Sequence, residues 1–322
     1  MFAMAYLLLL LGLLLLIKGA DFFVNGASGV AKFLRVPPML IGLTIVAFGT
    51  SSPEAAVSID ASLKGLAGIT LGNVLGSNIF NIAFIIGVVA VIRPLKVEQV
   101  TIRKEIPFTL LASITLYILI ADKSLQSLNY NIVSRADGLI LLLFFMIFLY
   151  YLFEIARNSR ENTSSKDELT ANKKTADIYI AYIIGGLIGI IAGANLVVKG
   201  STSIALQLGM SEVLVGLTIV ALGTSLPELI TSIVAAIKHE SEIAIGNIVG
   251  SNIFNILFVL SISSIISPIP VDDKFQIDAL IMIIYTLILF IFSMTYHKIN
   301  RAEGISLFAL YTGYIFFIIL RN

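Results

Sequence analysis

Two copies of one short stretch constrain this chain more than anything else in it: Gly49-Thr50-Ser51-Ser52-Pro53-Glu54 and Gly223-Thr224-Ser225-Leu226-Pro227-Glu228. Each lies inside an apolar segment long enough to cross a bilayer, so each puts a carboxylate, hydroxyls and a helix break near mid-membrane. A carboxylate at the bilayer centre costs at least ~2.5 kcal/mol on insertion scales, and more without a partner. The first reading is therefore an ion site.

The prolines sharpen it. Pro53 and Pro227 lack the N–H that would bond the carbonyl four residues earlier, which frees the Gly49 and Gly223 carbonyls and moves Ser52 and Leu226 off helical torsions. The expected result is a broken helix. Its first arm ends in carbonyls, and its second opens with Pro and with Glu in the first turn, where an anion is favoured. Thr50 or Ser51 is the expected N-cap. Carbonyl, hydroxyl and carboxylate oxygens then converge as a hard cation requires.

Of the 322 residues 58% are hydrophobic and only 13% charged, against roughly 25% charged in soluble domains. An all-α integral membrane protein follows, and the net charge of +1 points to no nucleic-acid partner. Without cysteine, thiolate metal sites and disulfides are excluded. The N-terminal apolar run has no cationic leader or small-residue cleavage site and reads as a retained first span. At about 20 residues per crossing, the expected spans are 3–24, 39–63, 69–92, 106–121, 136–156, 178–198, 214–237, 243–266, 277–294 and 305–320. These form two groups of five (1–156 and 177–322) around a polar cytoplasmic linker, 157–176.

A shift of 174 residues superposes the two groups without a gap from Gly19 on Gly193 to Pro94 on Pro268. It aligns Gly42 to Ala47 with Gly216 to Ala221, Glu54 with Glu228, and Gly72-Asn73-x-x-Gly76-Ser77-Asn78-Ile79-Phe80-Asn81 with Gly246-Asn247-x-x-Gly250-Ser251-Asn252-Ile253-Phe254-Asn255. Five spans per copy is odd, so the copies must be inverted in the membrane. With the first loop cytoplasmic, fourteen Lys and Arg residues face the cytoplasm and six the other side. By the positive-inside rule both termini are then outside. Inverted repeats with interrupted helices meeting at the midplane are the plan of secondary transporters.

In the second repeated stretch the glycines, four residues apart, make a smooth stripe that admits another backbone. Ser77 and Asn81, and Ser251 and Asn255, share that spacing and project oxygens from one face. Packing alone does not call for two amides per helix in lipid.

Gly-Thr-Ser-x-Pro-Glu followed by Gly-Asn-x-x-Gly-Ser-Asn-Ile, in both halves of a ten-helix inverted repeat, resembles the cation/calcium exchanger superfamily in its prokaryotic sodium/calcium branch. The resemblance covers nearly everything outside the linker. It implies a pocket lined by the second, third, seventh and eighth helices, with Na⁺ and Ca²⁺ as transported ions and no cofactor. The implied ligands are Glu54, Thr50, Ser51, the Ala47 carbonyl, Ser77 and Asn81 from one half. Glu228, Thr224, Ser225, the Ala221 carbonyl, Ser251 and Asn255 come from the other. It further implies long tilted first and sixth helices that slide past a fixed core, with Gly19, Gly26, Gly193 and Gly200 as their smooth faces. Some relatives carry Asp where this chain has Asn255, and Ser52 replaces the more usual Leu found at Leu226. With two acids in the pocket, one Ca²⁺ neutralises it, whereas two or three Na⁺ match or exceed its charge.

The expected function is a Na⁺/Ca²⁺ antiporter in a prokaryotic plasma membrane, working as a monomer by alternating access. H⁺ as driving ion, or K⁺ as an added one, is the nearer alternative and a cation channel the more distant. Many flexible protein oxygens suit Ca²⁺ over Mg²⁺, which keeps its waters; Mn²⁺ stays open. No His/Asp or Ser/Lys arrangement near the motifs supports an enzyme, and a scaffold has no use for matched buried acids. Elsewhere the plain readings prevail. Asp60 is the wet end of a span; Lys18 snorkels or makes a helix-end contact in preference to pairing with Asp21; Asp272 and Asp273 sit in a solvated loop, and His239 and His297 are isolated. Phe144, Phe145, Tyr150, Tyr151 and Phe153 are read as lipid-facing or interfacial.

Overall fold

A computed structural model describes residues 2–125, 127, 129–163, 173–208 and 221–321. Apolar residues in long runs, with glycines spaced for close contact, give a mostly helical chain. Its helices are α1 (Phe2–Leu34), α2 (Pro38–Thr50), α3 (Ser52–Leu63), α4 (Gly68–Ile92), α5 (Ile106–Leu119) and α6 (Arg135–Thr163). The second group comprises α7 (Lys173–Gln207), α8 (Ala221–Thr224), α9 (Leu226–Ile237), α10 (Ser241–Ile266), α11 (Asp273–Met294) and α12 (Arg301–Arg321). Among the described residues seven helices are long and apolar enough to span a membrane, or eight when α2 and α3 count as one span bent by 48°.

Two expected spans were drawn too short. α1 covers 33 residues and α7 covers 35, because both helices continue past Val24 and Val198, where polar residues such as Asn25, Lys32 and Lys199 interrupt the apolar run without interrupting the helix. At about 1.5 Å per residue each is near 50 Å long, more than a ~30 Å hydrocarbon core accommodates without tilt. The helices also run into the polar segment from both ends, and residues 164–172 lie outside the described residues.

α1 and α7 pack antiparallel along their glycines. A Cβ on Gly12 would meet Val197 N at 2.7 Å, one on Gly19 Ile190 N at 2.7 Å, and one on Gly26 Tyr179 O at 2.8 Å. Reciprocally, Cβ atoms on Gly186, Gly193 and Gly200 would strike Phe23 N, Leu16 N and Ala5 O at 2.6, 2.7 and 2.8 Å. The seven-residue spacing, with Gly12 and Gly186 completing it, makes one contact surface. It corrects the expectation in one respect: these glycines join the two long helices to each other rather than smoothing them against the core.

The rest of the fold interlocks the halves. α2 lies on α10, where a Cβ on Gly246 would meet Met39 O at 2.8 Å and one on Gly250 Leu43 O at 2.7 Å. The last helix of each half packs on the third of the other: α12 on α4 at Gly304 and Gly87, and α6 on α10 at Gly138 and Ser261. Two short antiparallel pairs follow the same rule, β1 (Leu95–Lys96) with β4 (Lys298–Ile299) and β2 (Asn131–Val133) with β3 (Ile269–Val271).

Matched aromatic clusters flank the centre. Phe254 stacks on Phe48 and Phe258, with ring centroids 4.7 and 4.9 Å apart, and Phe145 reaches in from α6. On the other side Phe80 stacks on Phe84 at 4.6 Å, with Tyr311 and Phe308 from α12. Phe145 is therefore buried, because its face of α6 packs on α10; Tyr150 and Phe153, on other faces, are exposed as expected. Tyr151 turns inward, its hydroxyl donating to buried Glu105 at 2.6 Å.

Candidate functional site

The helix breaks fall where the prolines put them. Ser51 (φ −82°, ψ 5°) separates α2 from α3, and Ser225 (φ −92°, ψ 5°) separates α8 from α9, each just before Pro and Glu in the next first turn. The N-cap expectation is corrected. Ser51 occupies that position without a side-chain cap bond; its hydroxyl instead donates across the molecule to Glu228 Oε1 at 2.7 Å. The Gly49 carbonyl is not left free either, since the Ser52 hydroxyl donates to it at 2.7 Å. Leu226 has no hydroxyl to do the same in the second copy. The Ala47 carbonyl accepts from Ser51 N at 2.9 Å and Thr50 Oγ1 at 3.3 Å.

Reciprocity organises the centre. While Ser51 bonds Glu228, Ser225 Oγ donates to Glu54 Oε1 at 3.0 Å. Asn81 Nδ2 donates to Asn252 Oδ1 at 3.1 Å, and Asn255 Nδ2 to Ser77 Oγ at 3.2 Å. Glu54, Glu228, Asn81 and Asn255 are each at most 2% exposed, and Thr50, Ser51 and Ser251 are wholly buried. Thr224 is half-buried and Ser77 and Ser225 are buried. Ala221 opens α8; its side chain and the preceding residues, 209–220, lie outside the described residues.

Asn81 and Asn255 lie in π-helical turns, Phe80–Ile85 and Asn255–Val259, of the kind that often marks functional sites. Among the described residues, five of the buried side-chain oxygens without a hydrogen-bond partner belong to motif residues: Glu54 Oε2, Glu228 Oε2, Asn81 Oδ1, Asn255 Oδ1 and Ser251 Oγ. An unpaired buried acceptor costs about 1–3 kcal/mol, and here such acceptors gather around two acids from opposite halves. That is a donor set for a hard cation.

Two residues that the motif contains, but to which the sequence assigned no role, hold this arrangement. Asn73 Nδ2 donates to the Glu54 carbonyl at 3.3 Å and to Ser58 Oγ at 2.9 Å. Asn247 Nδ2 repeats this at the Glu228 carbonyl and Ser232 Oγ, 3.4 and 3.0 Å, while its Oδ1 accepts from Thr50 Oγ1 at 2.9 Å. Their signal was the recurrence of Gly-Asn in both copies one helix beyond the glutamates.

The family described as sodium/calcium exchanger protein matches residues 4–154 and 178–320. The chain belongs to the sodium/calcium exchanger family. Within that family it is 33% identical over 353 residues to the sodium/calcium exchanger MaX1 of Methanosarcina acetivorans, covering 98% of each chain. It is 37% identical over 295 residues to the inner membrane protein YrbG of Escherichia coli, covering 88% of each. The solved sodium-calcium exchanger NCX_Mj, soaked with 10 mM Na⁺ and zero Ca²⁺, superposes with a TM-score of 0.84 at 35% identity, covering 98% of this chain and 99% of that one. This member of the exchanger family is thus a multi-pass membrane protein of a transporter family, not an enzyme.

Residues outside the centre have structural partners. Asp60 pairs with Lys64 at 2.6 Å in the open, Asp273 with Lys123 at 2.8 Å, and Asp272 caps α11 by accepting from Lys274 N. Asp21 pairs not with Lys18 but with Lys238, at 2.6 Å. His239 touches Arg93 rather than standing isolated.

Proposed function

We propose that this chain is a Na⁺/Ca²⁺ antiporter whose two ions take turns at one dehydrated site between Glu54 and Glu228. The observation that carries the reading is the crossed pair of hydrogen bonds, Ser51 to Glu228 and Ser225 to Glu54, with an unpartnered oxygen left on each carboxylate. The sodium/calcium exchanger named among its relatives supports the choice of ions. The ligands are Glu54, Thr50, Ser51, the Ala47 carbonyl, Ser77 and Asn81, with Glu228, Thr224, Ser225, the Ala221 carbonyl, Ser251 and Asn255. Two carboxylates balance one Ca²⁺, so Ca²⁺ and several Na⁺ exclude one another.

The architecture is two inverted five-helix repeats, 1–156 and 177–322, joined by the cytoplasmic linker 157–176. Three features support inversion: α1 and α7 are antiparallel, β1 pairs with β4 and β2 with β3, and each terminal helix docks on the opposite half. An inverted copy brings the turn after its third helix beside the turn after the partner's fourth, which is the pairing seen. The two spans beyond eight are α5 with its preceding π turn and the broken helix of α8 and α9, whose first arm before Ala221 lies outside the described residues. The protein works as a monomer in the prokaryotic plasma membrane with both termini outside.

Reconstituted vesicles test the function. They should take up Ca²⁺ only when an outward Na⁺ gradient is imposed. Uptake that ignores Na⁺ and follows a pH step would replace Na⁺ by H⁺.

A further inference from the structure

Resting on the antiporter reading, we propose that Lys238 and Glu240 latch α1 to the loop between α9 and α10 and so hold the linker-side face closed. Lys238 Nζ is surrounded by three oxygens of α1: Asp21 Oδ1 at 2.6 Å, Asn25 Oδ1 at 2.6 Å and the Asp21 carbonyl at 3.1 Å. One helical turn further, buried Ser28 donates to Glu240 Oε1 at 2.6 Å. Asp21, Asn25 and Ser28 recur at helical spacing on one face. Asn25 and Ser28, together with Lys32, Tyr179 and the two loop residues, border a cavity of about 380 Å³ between α1, α7 and that loop.

The physical case is in what the bonds connect. The glycine surface makes α1 and α7 one body, whereas the loop carrying Lys238 joins α9, which bears Glu228, to α10, which bears Asn255. Any displacement of the α1–α7 pair against the site must therefore pull an ammonium out of a three-oxygen seat and a hydroxyl off a carboxylate. Charge-assisted bonds of this kind are roughly twice as strong as neutral ones.

Among the described residues the opposite rim lacks the device. The 174-residue register puts Asn195, Lys199 and Thr202 where α1 has Asp21, Asn25 and Ser28, and Lys64 and Leu66 where the loop has Lys238 and Glu240. Asn195 and Lys199 are exposed, Thr202 Oγ1 has no partner among the described residues, and Lys64 is occupied by Asp60 on its own helix. Two like charges, Lys64 and Lys199, replace an ammonium and an amide oxygen. Among the described residues, side chains tie α1 to the α9–α10 loop at the linker face, and the corresponding positions of α7 and the loop after α3 make no such tie.

Because the chain has no cysteine, one introduced thiol reports opening. Thr231→Cys replaces a wholly buried residue nearly one turn beyond Glu228 on α9, on the way to the latch loop. With a membrane-impermeant maleimide on the linker side, labelling should be about tenfold faster in Asp21→Asn and in Lys238→Gln. It should return to within about threefold of the parent when the charges are exchanged in Asp21→Lys/Lys238→Asp, since a true pair couples. Lys64→Gln should leave it unchanged. Equal labelling in parent and both single variants, or a swap no slower than the singles, overturns the latch. Calcium binding by the purified parent is read separately: its absence would sink the antiporter reading, whereas binding kept with unaltered labelling sinks the latch alone.

Discussion

Around Glu54 and Glu228 each half holds the other by the same bonds, Ser51 to Glu228 and Ser225 to Glu54, with Asn73 and Asn247 bracing the two helix breaks alike. At the rims the same register yields unlike chemistry: Lys238 crosses to Asp21 on another helix, while Lys64 turns back to Asp60 on its own. The difference separates two tasks. A site approached in turn from both faces gains from looking alike in both directions. Which face is closed at rest needs an energy difference, and only unequal rims supply one.

The largest expected effect tests the equality of the centre. Glu54→Gln and Glu228→Gln should each reduce Na⁺-driven Ca²⁺ uptake more than about 100-fold, since each removes a charged oxygen ligand. A variant keeping more than a tenth of the flux would break the comparison. Next come the braces. Asn73→Ala and Asn247→Ala should weaken Ca²⁺ binding by about 10–100-fold, as outer-shell partners do. Asn247→Ala should be the worse because it also releases Thr50; titration of the purified variants reads both.

Further from the centre the halves diverge again. Asp278 is buried and bound by Arg321 through two bonds of 3.0 and 2.9 Å, whereas buried Glu105, in the π turn before α5, accepts from the neutral Tyr151 hydroxyl of α6 at 2.6 Å. Arg321→Ala, which strands a buried acid, should cost about 3 kcal/mol, and Tyr151→Phe about 1.5 kcal/mol, both measured as detergent stability. A reversed order would mean that the second ion pair is solvated. The smallest effect is expected at Lys64→Ala, under about 0.5 kcal/mol for an exposed pair one turn apart. A loss like that of a buried pair would show the outer rim to be held as well.

Much of the centre was legible from the chain because membrane burial makes polar residues informative. Pro53 and Pro227 dictated both breaks, and the duplicated motif named Ser51, Glu54, Ser77 and Asn81 with Glu228, Ser225 and Asn255, which hydrogen bonds join across the halves. The hydroxyl of Ser52 was not legible, since only three-dimensional geometry shows it returning to the carbonyl that Pro53 leaves unbonded. The length of α1 was missed because its span was drawn at about one membrane thickness and stopped at Val24, whereas the helix continues to Leu34. The hydroxyl of Ser51 was assigned to its own helix because local capping is the default, yet a carboxylate brought in from the other half outcompetes a backbone N–H. The role of Lys238 was invisible for the same reason: its partners lie more than two hundred residues away.

The account stands on one shared site, and direct titration of purified protein tests it. Calcium should bind at one ion per chain, be displaced by added Na⁺, and be lost in Glu54→Gln and in Glu228→Gln alike. Binding that survives either substitution with unchanged affinity, or that Na⁺ does not displace, would contradict it.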